Sequence, residues 1–214
     1  MLDLVLRGRT PELLDTYHGE RDPHVRAVVE RGIELGQVQT VRDPVAAAER
    51  DQRLIAQRAE NQKPAQIRLP GLTEGFLADH SGPGRGQLSV QGFVDDGAER
   101  ARLDSIVGHG FQLLVNAALM PELERGGTAA AIRAAGVAVV GLASQSGTDG
   151  ALVDVDGTYR HWFAEFGCVA MAVRPDFYVY GTAVDNASAR ALADELVNAV
   201  AVETSTPVRL ATAR

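Results

Sequence analysis

The chain has 214 residues, and 28 acidic against 21 basic side chains give it a formal net charge of −7. This acidic balance, with no basic block, argues against nucleic acid and membrane surfaces as partners. Apolar residues make up 45% of the chain, but its longest apolar stretch, residues 136–143, is too short to span a bilayer. The first seven residues have no basic lead before a long apolar core, so we expect no secretory signal. With a single cysteine, Cys168, no internal disulfide can form, so we expect a cytoplasmic protein.

The first sixty residues are predicted to be helical. Thr10 supplies an N-cap hydroxyl and Pro11 a first helical residue, and Pro23 is expected to kink the helix or divide it in two. Gly36 is expected to end this helix, and Pro44 to open a second, shallowly buried helix that continues to about residue 60. Apolar residues recur on one stripe of the first helix: Leu14, Tyr17, Val25, Val28 and Leu35.

Prolines and glycines concentrate in residues 61–86, which we interpret as a linker. The predicted organisation is therefore a helical segment over 1–60, the linker over 61–86, an α/β domain over 87–202 and a tail over 203–214.

The α/β domain alternates strand and helix patterns. Strands are predicted over 87–94, 111–115 and 137–140, with a helix over 121–135 that Gly126 and Gly127 weaken. A second helix, capped by Asp156, places four aromatic side chains on one face: Tyr159, Trp162, Phe163 and Phe166. A hairpin of strands 169–173 and 177–180 turns at Arg174-Pro175-Asp176, and a last helix begins near Asn186 with Leu192, Leu196 and Val200 one turn apart. This order predicts a thioredoxin-like α/β sandwich with a mixed sheet.

The candidate catalytic motifs each favour a structural interpretation. Cys168 lies at the start of an apolar strand and has no Cys-x-x-Cys partner, so we expect a buried structural thiol. Residues 82–86 are rich in glycine but lack the flanking strand and helix of a phosphate loop. Residues 144–147 lack the glycine of a nucleophile elbow, and Asp154 and Asp156 are not followed by further calcium ligands.

The histidines are scattered: His18, His24, His80, His109 and His161. His161 is expected at the surface. The sequence thus predicts no catalytic, cofactor-binding or metal residue.

Several segments resemble class A flavin-dependent aromatic hydroxylases. Residues 13–24 are similar to the family's L-L-x-x-Y-x-x-E-R-x-P segment, which includes Glu20 and Arg21, and residues 2–8 resemble the end of a helix that begins at the flavin site. Further similarities follow in family order at residues 91–92, 102–114, 156–162 and 173–179. The best match is the branch of 3-(3-hydroxyphenyl)propionate, phenol and polyketide hydroxylases.

The resemblance implies a C-terminal thioredoxin-like domain without redox cysteines, which in the family is structural and often contributes to a dimer interface. The complete family architecture uses FAD and NAD(P)H, but the Gly-x-Gly-x-x-Gly, Asp-Gly and Gly-Asp motifs that hold FAD are absent here. We therefore expect this chain to bind no cofactor and to hydroxylate nothing alone. Glu20 and Arg21 are expected either to tie their helix to neighbouring structure through an ion pair or to lie on a solvated helix face. Phe177 stands where the family commonly has glycine.

The leading hypothesis is the C-terminal structural or dimerisation portion of an aromatic-ring monooxygenase, with a second copy of the chain or a flavin-binding domain as partner. An alternative is a stand-alone thioredoxin-like binding module that associates with a separate flavoprotein. An independent thioredoxin-like oxidoreductase is the weakest hypothesis.

Overall fold

A computed structural model describes residues 2–8, 11–60, 70–79, 82–147 and 150–201. The chain groups into two compact units: a sheet unit of Met1–Glu20 with Gly71–Arg214, and a helical unit of Arg21–Pro70. The sheet unit includes residues 71–86, which lie in the segment interpreted as a linker.

The helical unit contains most of α2 (Thr16–Gln39) and all of α3 (Pro44–Ala59). Asp43 caps α3 by accepting the Ala46 N–H at 2.8 Å. The predicted second helix and its shallow burial are confirmed, since no residue of α3 is buried.

Of the two outcomes expected at Pro23, a kink or a division, the structure excludes the division: Pro23 lies inside α2, although a proline there removes one intrahelical hydrogen bond. The predicted end of the helix at Gly36 is wrong, since the helix continues to Gln39, and the Gly36 carbonyl accepts the Thr40 N–H at 3.0 Å. The predicted N-cap, Thr10, lies outside the described residues; Pro11–Asp15 form a 3-10 turn before α2 begins.

The helical unit leaves eight large apolar side chains exposed. Their exposed fractions range from 39% to 68%. They are Val25, Val29, Ile33, Leu35, Val38, Val45, Leu54 and Ile55.

The sheet unit is built on seven strands in the order β2-β1-β5-β4-β3-β6-β7. The strands are β1 (Phe93–Asp95), β2 (Arg100–Arg102), β3 (Gln112–Asn116), β4 (Ala138–Ala143), β5 (Leu152–Asp154), β6 (Ala170–Val173) and β7 (Val179–Ala183). The helices are α1 (Leu2–Leu6), α4 (Leu103–Val107), α5 (Met120–Arg125), α6 (Thr128–Ala134), α7 (Thr158–Phe166) and α8 (Asn186–Val200).

The sheet is mixed. Strands β3, β4 and β5 are parallel, whereas β6 runs antiparallel to β3 and β7 antiparallel to β6. A β-α-β unit followed by a helix, a hairpin and a last helix is the thioredoxin-like arrangement, so the predicted fold class is confirmed. The predicted strand at 87–94 is wrong over 87–92, where Leu88 forms only an isolated bridge, and β1 begins at Phe93.

Both faces of the sheet are covered by helices. Leu113 faces the core that includes Ile132 of α6 and Leu196 of α8, whereas the next residue, Leu114, faces the core of α7. This alternation, at 0% and 1% exposure, identifies β3 as a central strand. The predicted helix over 121–135 is two helices, because Gly127 adopts a φ of 73° between them. Among the residues described, no helix is both long and apolar enough to cross a membrane.

Candidate functional site

The most highly organised polar cluster surrounds Arg174, which directly follows β6. Its Nη1 and Nη2 atoms contact the two oxygens of Glu20 at 2.8 and 2.9 Å. Its Nε and Nη2 atoms bond the carboxylate of Asp176 at 3.0 and 2.8 Å, and Nη1 also donates to the Phe76 carbonyl at 2.9 Å. These contacts match the five N–H groups of a guanidinium, so Arg174 has no donor left for a substrate.

The carboxylate of Glu20 is enclosed from the other side by the loop at residues 75–76. The Phe76 N–H donates to Oε2 at 3.0 Å, and Gly75, at a φ of 100°, passes so close that an added Cβ would lie 2.5 Å from the Glu20 side chain. Glu20 is 1% exposed and Arg174 4%. Burial acts to lower the pKa of Arg174, but the hydrogen bonds that it donates to Glu20 and the charge of Asp176 outweigh burial and raise that pKa.

This Glu20–Arg174 junction is a structural tie between α2 and the β6–β7 hairpin. The predicted ion pair of Glu20 is thereby confirmed, with Arg174 as the cation that the sequence did not identify. One signal was available: both residues lie in segments that carry the family resemblance. Since both charges are paired and buried, the junction offers neither a general base nor an open anion site.

Cys168 lies between α7 and β6 and is 5% exposed, as predicted for a structural thiol. Its N–H donates to the Phe163 carbonyl at 3.0 Å. Burial raises the pKa of the thiol to about 11, so almost no thiolate exists at neutral pH. This environment argues against thiol–disulfide exchange at Cys168.

The glycine-rich residues 82–86 form a turn that packs on the sheet. The Gly86 N–H donates to the Val179 carbonyl at 2.9 Å, and the Gly86 carbonyl accepts from Leu72 at 2.7 Å. A Cβ at Gly84 would lie 3.0 Å from both Trp162 and Phe166. No helix follows before α4, so this turn does not fit the pyrophosphate of FAD, which requires free amides at a helix start.

The remaining candidate motifs are structural as well. Asp156 holds the first turn of α7, where its Oδ1 accepts the Thr158 hydroxyl at 2.8 Å, although Gly157 is the N-cap residue itself. Asp154 accepts the Arg160 N–H at 2.9 Å. Residues 144–147 form an exposed loop after β4.

The histidines also remain apart in the described part of the chain. His18, His109 and the predicted surface residue His161 are exposed, and His24 is half-buried. His80 lies outside the described residues. No three His, Cys, Asp or Glu side chains of the described ranges come together as a metal site.

Comparison with known proteins identifies relatives for nearly the whole chain. Residues 86–199 match the profile of the HcaD C-terminal domain family. A "Probable NADH-specific resorcinol 4-hydroxylase" of Rhodococcus jostii (strain RHA1) is 44% identical over 209 residues, which are 96% of this chain and 38% of the relative. The chain therefore spans about two fifths of the length of the curated relative it matches.

Two solved structures share the fold at low sequence identity. The flavin-dependent monooxygenase PieE, in complex with FAD and substrate, aligns at a TM-score of 0.57 and 22% identity, over 89% of this chain and 40% of that one. Aklavinone-11 hydroxylase with FAD and aklavinone aligns at a TM-score of 0.56 and 21% identity, over 93% of this chain and 37% of that one. In both, the aligned region is well under half of the neighbour.

Proposed function

The chain belongs to the HcaD C-terminal domain family, and from this premise we propose that it is the C-terminal structural portion of an FAD-dependent aromatic hydroxylase. The observation that carries the proposal is the 44% identity to the resorcinol 4-hydroxylase relative, which extends over 96% of this chain. That match includes the N-terminal helices, outside the family domain at 86–199. We propose that the substrate class of the parent enzyme is phenolic, as the relative's name indicates.

In the proposed enzyme the chemistry belongs to a region beyond this chain. FAD supplies oxygen activation where it is bound, and a protein contributes position and electrostatics. The glycine-rich turn at residues 82–86 has its Gly86 amide bonded to the sheet, so it does not provide a flavin site here. The residues of this chain would instead brace the enzyme, with the Glu20–Arg174 junction fixing the first helical turns to the sheet unit.

The exposed apolar stripe of α2 supports a covering partner. Val25, Val29 and Ile33 recur every four residues and are each more than half exposed. We propose that the flavin-binding region of the same enzyme covers them, because most of the length of the resorcinol 4-hydroxylase relative lies outside the match. A second copy of this chain, the other predicted partner, is an alternative outcome of the test.

The proposal is tested by tagging this sequence at its chromosomal locus and purifying the product from its source cells. We expect a flavin-containing protein, as one long polypeptide or as a complex, that oxidises NADH faster when a phenol such as resorcinol is added. The 214-residue chain purified alone and mixed with FAD should retain no flavin. Recovery of a flavin-free 22.8 kDa chain from the cells would contradict the proposal.

The covering surface is tested in that same purified enzyme. Replacing Val29 and Ile33 together by Lys should release or destabilise the flavin region, measured as flavin content per tagged chain. Glu30→Gln, an exposed polar change between them, is the matched control and should leave flavin content unchanged. If the double variant instead converts a dimer into a monomer and leaves the flavin content unchanged, a second copy of the chain covers the stripe.

A further inference from the structure

A cleft of about 750 Å³ opens at the carboxyl ends of the three parallel strands β3, β4 and β5. The chain leaves β3 toward α5 and α6 on one face of the sheet, and leaves β5 toward α7 on the other. In open α/β sheets this divergence creates a crevice at the strand ends, which is where small molecules bind.

One wall of this cleft carries a buried carboxylate that is only half satisfied. Asp154, the last residue of β5, is 6% exposed. Its Oδ2 accepts the Arg160 N–H at 2.9 Å, whereas its Oδ1 has no hydrogen-bond partner in the residues that the structure describes. A buried acceptor without a partner is energetically costly, and for a charged group the cost is larger.

Within the described ranges, no side chain forms a salt bridge or a hydrogen bond with Asp154. Arg160 lines the cleft, but its guanidinium does not pair with this carboxylate. Its guanidinium instead lies over Gly157, with Nη2 3.0 Å from the position of an added Cβ. Asp154 therefore keeps one carboxylate oxygen that no described group of the chain bonds.

The rest of the lining combines an apolar floor with a polar rim. Leu142, Phe163 and Cys168 contribute buried apolar surface. Asn116 and Ser144 line the opening, and both are exposed. Such a surface suits a molecule with an apolar body and one cationic end.

We propose that this cleft binds a small organic cation, a protonated primary amine on an apolar body. Its ammonium group donates to Oδ1 of Asp154, which is closed to solvent in the unliganded chain, so binding includes a small movement of the cleft wall that uncovers this oxygen. Its apolar part lies against Leu142 and Phe163. This site goes beyond the proposed bracing function, which requires no ligand at this end of the sheet, and its test is independent of flavin.

The proposal is tested by titrating the isotopically labelled full chain with benzylammonium and following amide shifts by NMR. We expect saturable shifts at Asn116 and at residues 144–147, with a Kd on the order of 1 mM for so small a probe. Benzyl alcohol, which has nearly the same shape without the charge, should bind at least about tenfold more weakly.

Asp154→Asn provides the matched variant. Its amide oxygen can still accept the Arg160 N–H, while its NH2 replaces Oδ1 and presents donors to the cleft. We expect at least about a tenfold loss of benzylammonium affinity. Asp156→Asn should cause no loss, because Asp156 holds the first turn of the same helix but does not line this cleft. Equal affinity for the alcohol and the amine, unchanged binding by Asp154→Asn, or no saturable shift up to about 20 mM would each overturn the proposal.

Discussion

Glu20 and Arg174, 154 residues apart in sequence, meet in a two-point ion pair whose side chains are almost fully buried. The pair brings the first turns of α2 against the residue that follows β6. A buried pair of this kind adds little net stability compared with apolar packing, but removing one partner leaves the other charge buried with fewer opposite charges around it. The junction therefore specifies where α2 begins relative to the hairpin.

Glu20→Gln should lower the free energy of unfolding of the sheet unit by about 2–3 kcal/mol, because the buried Arg174 charge then keeps only Asp176, which is 37% exposed, as a carboxylate partner. Urea unfolding followed by the fluorescence of Trp162, which lies in that unit, measures the loss. Glu124→Gln is the control: it breaks the exposed Glu124–Arg133 pair, in which both side chains are over 40% exposed, and should cost below about 1 kcal/mol. Equal small losses in both variants would contradict the assigned role of the junction.

The elements predicted well from sequence are those with a long, clear period. Helix α8 displays three leucine or valine residues one turn apart and begins at Asn186, where the sequence predicts it, and α7 carries four aromatics on one face. The β6–β7 hairpin is also predictable, because two continuous apolar runs flank a proline-containing turn, although β7 extends over Val179–Ala183 rather than 177–180.

The elements that sequence missed are too short to show any period. Strands β1, β2 and β5 have three residues each, and their pairing is set by tertiary contacts. The partner of Glu20 was also not predictable, since the pair depends on how the whole chain is folded. The lack of a hydrogen-bond partner for Oδ1 of Asp154 in the described residues is likewise a result of packing, which the sequence does not predict.

Gly86→Ala tests whether the glycine-rich turn is an integral part of the sheet unit. A methyl group at this residue, at a φ of 73°, would lie 1.9 Å from the Leu72 carbonyl oxygen, so the turn must move. We expect a loss of about 3 kcal/mol or more in the free energy of unfolding. Gly97→Ala, at a φ of 89° with open space around it, isolates the backbone strain and should cost only about 1–2 kcal/mol. Similar losses at the two sites would mean that residues 82–86 form a loose connector.

Cys168 should behave as an inert thiol in the folded chain. With its pKa raised to about 11 by burial, roughly one thiol in a thousand is ionised at pH 8. Iodoacetamide should therefore label the native chain at least about 100-fold more slowly than the urea-unfolded chain. Mass spectrometry of timed samples measures both rates. Native labelling at the unfolded rate would instead restore the oxidoreductase hypothesis.

Tyr159 should make the sheet unit lose stability at high pH. Its hydroxyl accepts the Gly92 N–H at 3.1 Å, and burial raises its pKa from 10.0 to about 12, with the charge of Asp154 adding to the effect. Below pH 10 both the folded and the unfolded chain keep this proton, so the contribution is fully present. Between pH 10 and 12 the unfolded chain loses the proton first, so the free energy of unfolding falls by about 1.4 kcal/mol per pH unit from this group.

Tyr159→Phe should remove this share of the pH dependence. Its urea-unfolding curve should show about 1 kcal/mol lower stability at pH 8, since the Gly92 N–H loses its acceptor. The difference from the unchanged protein should then shrink above pH 10. A constant difference across the range would show that Tyr159 ionises equally in both states.

Phe177 is the only non-glycine residue in the described part of the chain with a positive φ, at 66°. It is the last residue of the three-residue turn between Arg174 and Tyr178, closed by the Phe177 N–H to the Arg174 carbonyl at 2.9 Å. That position favours glycine, because a Cβ in left-handed backbone conformation is strained by about 1 kcal/mol. The Phe177 side chain is 39% exposed, so its removal loses few contacts.

Phe177→Gly should raise Tm by about 2–4 °C, and Phe177→Val, with a branched Cβ, should lower Tm by a similar amount. Calorimetry of the three chains measures both shifts, and a lower Tm for the glycine variant would show that the ring stabilises the hairpin by more than its backbone strain costs.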